Sequence, residues 1–117
     1  MRMRRGFTLI EVLIALVIFE FGMLALAATS AVAARDLAEA NHRMRAQTIA
    51  SNRVEQLRAR ACQLSSVGGV EVRGRLKEFW RVQAEGSRRI IADSVEFPTT
   101  RGRRTSLVLR GWALCAS

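Results

Sequence analysis

Few residues in this chain have reactive side chains. Cys62 and Cys115 are its two cysteines, His42 is its one histidine, and Ser51, Ser65 and Ser66 are candidate hydroxyl nucleophiles. Nucleophilic catalysis needs a base held within hydrogen-bond reach of the nucleophile. His42 lies among polar residues and reads as solvated, and the serines have no nucleophile-elbow context. Glu71, Glu78, Glu85, Asp93 and Glu96 are dispersed among arginines and form no metal-ligand pattern. Two cysteines and one histidine at unrelated spacings are too few for zinc. Gly68-Gly69 lacks the strand before it and the Lys-Ser/Thr pair after it that a phosphate loop needs. No catalytic residue, metal or cofactor is expected. What the cysteines offer is a cross-link. In an oxidising compartment a Cys62–Cys115 disulfide is the leading reading, and the alternative is two unpaired thiols, one buried and one in a tail.

The charge is lopsided. The 117 residues carry a formal net charge of +9, almost all of it from arginine, with Lys77 the single lysine. Arg2, Arg4 and Arg5 supply three of those charges at the amino terminus, so a chain starting at Phe7 would carry 9 − 3 = +6. A basic surface can meet phosphates or acidic partners. No basic run is interleaved with aromatics along the sequence, which makes nucleic acid the weaker expectation.

Behind the basic start comes a segment of different character. From Val12 to Ala34 the sole charge is Glu20, and at about 1.5 Å per residue the 23 residues extend about 35 Å as a helix, enough to cross the hydrocarbon core. The positive start predicts a cytoplasmic amino terminus. Ala25-Leu26-Ala27 and Ala31-Val32-Ala33 would each fit signal peptidase, releasing a soluble basic domain. Glu11 opposes that alternative, because a signal peptide has no use for a carboxylate at the start of its apolar run.

The stretch Arg5-Gly6-Phe7-Thr8-Leu9-Ile10-Glu11-Val12-Leu13-Ile14-Ala15-Leu16 closely resembles the leader junction of type IV prepilins and type II secretion pseudopilins. The resemblance runs through about Leu57. It implies cleavage by prepilin peptidase between Gly6 and Phe7, methylation of the Phe7 amine, and retention of the apolar helix as a filament core. Gly6 would give the protease close access to the backbone. By the same resemblance, the Glu11 carboxylate neutralises the amino terminus of a neighbouring subunit. Expected partners are other pilin or pseudopilin subunits, prepilin peptidase, the inner-membrane assembly platform and the membrane itself. The location implied is the bacterial inner membrane, crossed once with the head in the periplasm, and then the pilus or pseudopilus. Glu20 departs from the commonest pattern: nine residues at about 100° each place it opposite Glu11. It is expected to meet a polar or basic group on a different subunit, or to be protonated in the bilayer.

These residues need a long element to position them. From Phe7 to Val67 no Gly other than Gly22, and no Pro, interrupts the chain, which predicts one helix from about Phe7 to about Leu64. Ala50, Val54, Leu57, Ala61 and Leu64 form an apolar stripe on its far half. Arg43, Arg45, Arg53, Arg58 and Arg60 fill the remaining arc and are expected to be solvated. Gly68-Gly69 is expected to end the helical region. Strands follow near Val70–Arg73, Leu76–Ala84, Arg89–Phe97 and Thr105–Ala113; Trp80, Val82 and Ala84 share a face of the second, and Ile91, Val95 and Phe97 share a face of the third. Arg101-Gly102-Arg103-Arg104 reads as an exposed turn.

The fold class expected is α+β, a long amino-terminal helix with a small antiparallel sheet packed on its carboxy-terminal half, which is also the pilin fold by resemblance. The expected divisions are a leader at 1–6, a membrane and filament-core half at 7–34, and a head at 35–117. The short chain and small head resemble minor pilins or minor pseudopilins. A DNA-uptake pilin with an arginine-rich head is the alternative from another class.

Overall fold

A computed structural model describes residues 6–116. The leader expected at residues 1–6 therefore lies, apart from Gly6, outside the described residues. Two units divide the chain, Met1–Arg35 and Asp36–Ser117.

Helix α1 runs Leu9–Arg60 and is followed by a single 3-10 turn, Ala61–Gln63. Its start is set by Thr8, whose carbonyl accepts from the backbone N–H of Glu11 at 3.1 Å and of Val12 at 3.2 Å. Near this end α1 is long and apolar enough to cross a membrane, and the apolar window is exposed throughout. The chain leaves the last turn at Leu64 in extended conformation.

The second unit is built on the far part of α1 and four strands, β1 (Val67–Arg73), β2 (Leu76–Glu85), β3 (Arg88–Pro98) and β4 (Arg104–Leu114). They form one antiparallel sheet in the order β1-β2-β3-β4. The α+β class and each expected strand are thus present, with ends shifted by up to three residues. Gly74 and Gly86 adopt φ of 61° and 59° in the two-residue hairpin loops, a region open to glycine without Cβ strain. Gly68-Gly69 does not end the helix as expected. Both residues lie inside β1, because the indole of Trp80 spreads across Gly69, where a Cβ would come within 2.7 Å of the ring.

One face of the sheet packs on α1. The helix contributes Ala46, Ala50, Val54 and Leu57 and the 3-10 turn after it Ala61, all buried, at steps of four, four, three and four. The expected stripe therefore begins one turn earlier, at Ala46. Strand alternation turns Leu76 and Val82 of β2 and Ile91, Val95 and Phe97 of β3 toward it. The buried residues fall into two clusters. Ala46, Ala50, Leu76, Val95 and Phe97 form one, and Val54, Leu57, Ala61, Val82 and Ile91 the other, with Leu109 touching both.

Two more contacts fasten the ends of the sheet to the helix. Glu39 of α1 accepts from the Thr100 amide at 3.0 Å and the Thr100 hydroxyl at 2.9 Å, tying down the β3–β4 loop. These donors, with Arg43 and Arg101 nearby, hold the Glu39 carboxyl below its ordinary range. At the other end Cys62 and Cys115 are bonded, with their Cα atoms 5.3 Å apart. The Cys115 amide also donates to the Ser87 carbonyl at 2.8 Å, so the end of β4 is held from two directions. Arg101–Arg103 form the exposed turn expected of them, while Arg104 begins β4.

Candidate functional site

Two places combine polar chemistry with position, one in each unit. In the first unit Gly6 and Phe7 precede the helix in irregular conformation, and Phe7 is 83% exposed. Thr8 caps α1: its hydroxyl accepts from the Glu11 amide at 3.4 Å, sharing that proton with the Thr8 carbonyl. Thr8-Leu9-Ile10-Glu11 has the spacing of a capping box, a signal that could have marked Thr8 from sequence. Only the hydroxyl half of the box is made. The Glu11 carboxylate makes no return bond among the described residues and is left to act elsewhere. Phe7 and Glu11 line one open hollow with Val12, Ala15, Leu16 and Phe19, about 490 Å³ in volume. Glu20 is exposed further along α1 and takes no part in it.

Residues 1–32 match the family model described as the prokaryotic N-terminal methylation motif. The chain carries the type IV pilin-like prepilin signature. No curated protein and no solved structure matches the chain. The signature is that of proteins processed by prepilin peptidase, and it indicates that enzyme and other pilin subunits as partners. The methylation-motif family is structural rather than enzymatic. The signature and the long apolar helix together fit anchoring in the inner membrane.

The second place lies in the head, between the two apolar clusters. Arg53, expected on a solvated arc, instead turns inward. Its Nε donates to Glu78 Oε1 at 2.7 Å and its Nη2 to Glu78 Oε2 at 3.1 Å, and Nη2 also meets the Glu71 carboxylate. Its guanidinium carbon lies 5.8 Å from the Trp80 ring centre. Glu78 and Asp93, read from sequence only as carboxylates dispersed among arginines, are both buried, at 2% and 0% exposure. The cause is strand parity: Glu78 alternates with Leu76 on β2, and Asp93 with Ile91 and Val95 on β3, so the same face carries all of them. Asp93 sits in register between Trp80 and Leu109.

The charges in this belt do not balance. Arg53 forms a bidentate pair with Glu78, which raises the guanidinium further above its usual range. The outer oxygens of Glu71 are shared between Arg53 and Arg73. Asp93 has no cation of its own, and neither of its carboxylate oxygens has a hydrogen-bond partner among the described residues. Burial first, then the negative charge of Glu78, push Asp93 up to about 7 from an ordinary 3.8. No group of His, Cys, Asp and Glu suited to a metal occurs among the described residues.

That shift has a definite sign. The folded chain holds a proton on Asp93 between about pH 4 and pH 7 that the unfolded chain releases, so stability falls as pH rises through this window. Urea unfolding of the detergent-solubilised chain is expected to show a midpoint that falls from pH 5 to pH 8 by more than that of Asp93→Asn falls over the same interval. The Asn variant should lose this component of the pH dependence. Equal slopes for the two proteins would contradict the assignment.

His42 also differs from expectation. It lies one turn before Ala46 on the packed face, is half-buried, and its Nδ1 is enclosed without a partner. Extending the stripe read from sequence backward from Ala50 by two steps of four, through Ala46, would have found it.

Proposed function

We propose that the chain is a minor pilin or minor pseudopilin, cut between Gly6 and Phe7, methylated on the Phe7 amine, and assembled through its apolar helix into a type IV pilus or type II secretion pseudopilus. In this reading the expected divisions at 1–6, 7–34 and 35–117 are leader, membrane and filament-core segment, and periplasmic head. The observation that carries it is the methylation motif over residues 1–32, joined to a helix able to span a membrane. The disulfide supports it, since such bonds persist in oxidising compartments such as the periplasm.

The assembly step is electrostatic. Glu11 has no partner for its carboxylate among the described residues of its own chain, and it lies beside the apolar surface that subunits would bury. Pairing with the Phe7 amine of a neighbour would neutralise both charges as water is excluded and would fix the register of the helices. Glu20 then makes a separate contact, with a donor on another subunit. The inner-membrane platform is where these pairings are made.

The deciding measurement is peptide mapping of the mature protein by mass spectrometry. It should find a terminus at Phe7 carrying one added methyl group; a terminus near Ala28 or Ala34 would overturn the reading. Glu11→Ala should leave cleavage intact while reducing filament incorporation by about 100-fold, the effect of breaking a buried charge pair. Glu20→Leu should lower incorporation as well, measured in the same shear-fraction assay. Unchanged incorporation would show that Glu20 contacts no neighbour.

A further inference from the structure

The face of the sheet turned away from α1 has features that neither its own fold nor filament packing through the helix explains. The register places Arg81 beside Ala92 and Ala92 beside Arg110. Two guanidiniums therefore stand two strand spacings apart, about 10 Å, on either side of a methyl group. Neither arginine has an ion pair or side-chain hydrogen bond among the described residues, whereas Arg53, Arg58, Arg73 and Arg104 each have a carboxylate. The adjacent row is Val70, Phe79, Ser94 and Val108, and Val70 and Val108 are 59% and 54% exposed. Small side chains at Ala92 and Ser94 keep the middle low, and the result is an open groove of about 710 Å³.

Exposed apolar groups beside two unneutralised like charges call for an occupant with the opposite chemistry: apolar side chains and carboxylates together. Phosphates could meet the arginines, but bases would need aromatic platforms. Each of the two aromatic rings on this face already has a cation over it, with the Lys77 ammonium 4.9 Å from the Phe79 centre and the Arg88 guanidinium 6.0 Å from that of Trp112. A second copy related by a two-fold axis would bring the same arginines face to face. We propose that the outer face of the sheet is a docking surface for an acidic, apolar segment of a different protein, seated over Ala92 with its carboxylates on Arg81 and Arg110. This contact is made by the head and does not depend on the helix contacts described above.

The test uses the full chain in its native cells, with a photo-crosslinking amino acid at Ala92 and, as a control, at Phe19 in the apolar helix. The expected adduct at position 92 is with another polypeptide, mapping to a segment in which Asp or Glu is flanked by apolar residues. Arg81→Glu/Arg110→Glu should reduce its yield by at least about tenfold, and Lys in place of the partner's acids should restore it. Both arginines are exposed, and retention of the Cys62–Cys115 bond and of protease resistance checks the fold. Arg81→Gln/Arg110→Gln supplies a milder variant expected to fall between. An adduct with this same chain, with lipid or with nucleic acid overturns the proposal. So does an adduct whose yield ignores charge reversal, or none at Ala92 when Phe19 gives one. Methylation of Phe7, read separately, is unaffected by any of these results.

Discussion

Arg53→Met is expected to destabilise the head by about 3 to 5 kcal/mol, the usual effect of removing one partner from a buried ion pair. Glu78 is 2% exposed and receives two of its hydrogen bonds from Arg53. Without the guanidinium, the buried Glu78 carboxylate would lose both of those hydrogen bonds and the charge that neutralises it. The loss should be read from urea unfolding of the full chain in detergent. Arg53→Lys should recover little, because an ammonium cannot make the bidentate pair or lie along the Trp80 ring as the planar group does. Arg53→Met/Glu78→Met should recover most of the loss, since replacing both partners by apolar groups leaves no orphan charge. A loss below about 1 kcal/mol for Arg53→Met would show that water reaches Glu78 and that the pair behaves as a surface one.

Cys62→Ser/Cys115→Ser should lower stability by about 4 kcal/mol on the chain-entropy account of a long closed loop. The cysteines are 53 positions apart, so the bond encloses all four strands. The effect matters because the core it supports is small: ten apolar residues are buried, and three of them are alanines. It should also be uneven. β4 pairs on one side alone, with β3, and Gly111 lies where a Cβ would come within 2.8 Å of Val54, so this strand has close backbone packing on the helix but few large inward side chains. Hydrogen exchange in the double variant should therefore rise in β4 before β2. Uniform exchange across the sheet would mean that the bond acts on the unfolded chain and leaves the local hold on β4 unchanged.

Local signals in the sequence were sufficient for most of the architecture. The charge asymmetry, Gly6-Phe7 and Glu11 mark the prepilin junction, and the absence of Gly and Pro marks the helix. Alternation and turn glycines mark the strands, because hairpins of two-residue loops bring neighbours in sequence together. The same alternation placed Val82, Ile91, Val95 and Phe97 on the covered face. It did not rescue Glu78 and Asp93, whose parity was equally plain, because a charged side chain at a covered position goes against the usual cost of burial. Recognising the belt needs the partner as well, and Arg53 is 25 positions from Glu78. The rotation of α1 on the sheet is what brings them together, and no local pattern encodes it. Gly69 shows the same limit from the other side. Read locally, a Gly-Gly pair breaks structure; in the sheet Gly69 makes room for the indole of its cross-strand partner, Trp80.

The placement of the two tryptophans on opposite faces gives the head its own pair of optical reporters. Trp80 lies against Gly69 and Arg53 under the helix, Trp112 is 54% exposed beside Arg88, and the chain has no tyrosine to contribute emission. Trp80→Phe would leave a fluorophore that responds to an anionic quencher and to whatever settles on the outer sheet. Trp112→Phe would leave one that responds to loosening of the helix. Docking and unfolding can thus be followed separately by intrinsic emission, one in each single-tryptophan variant and without a label.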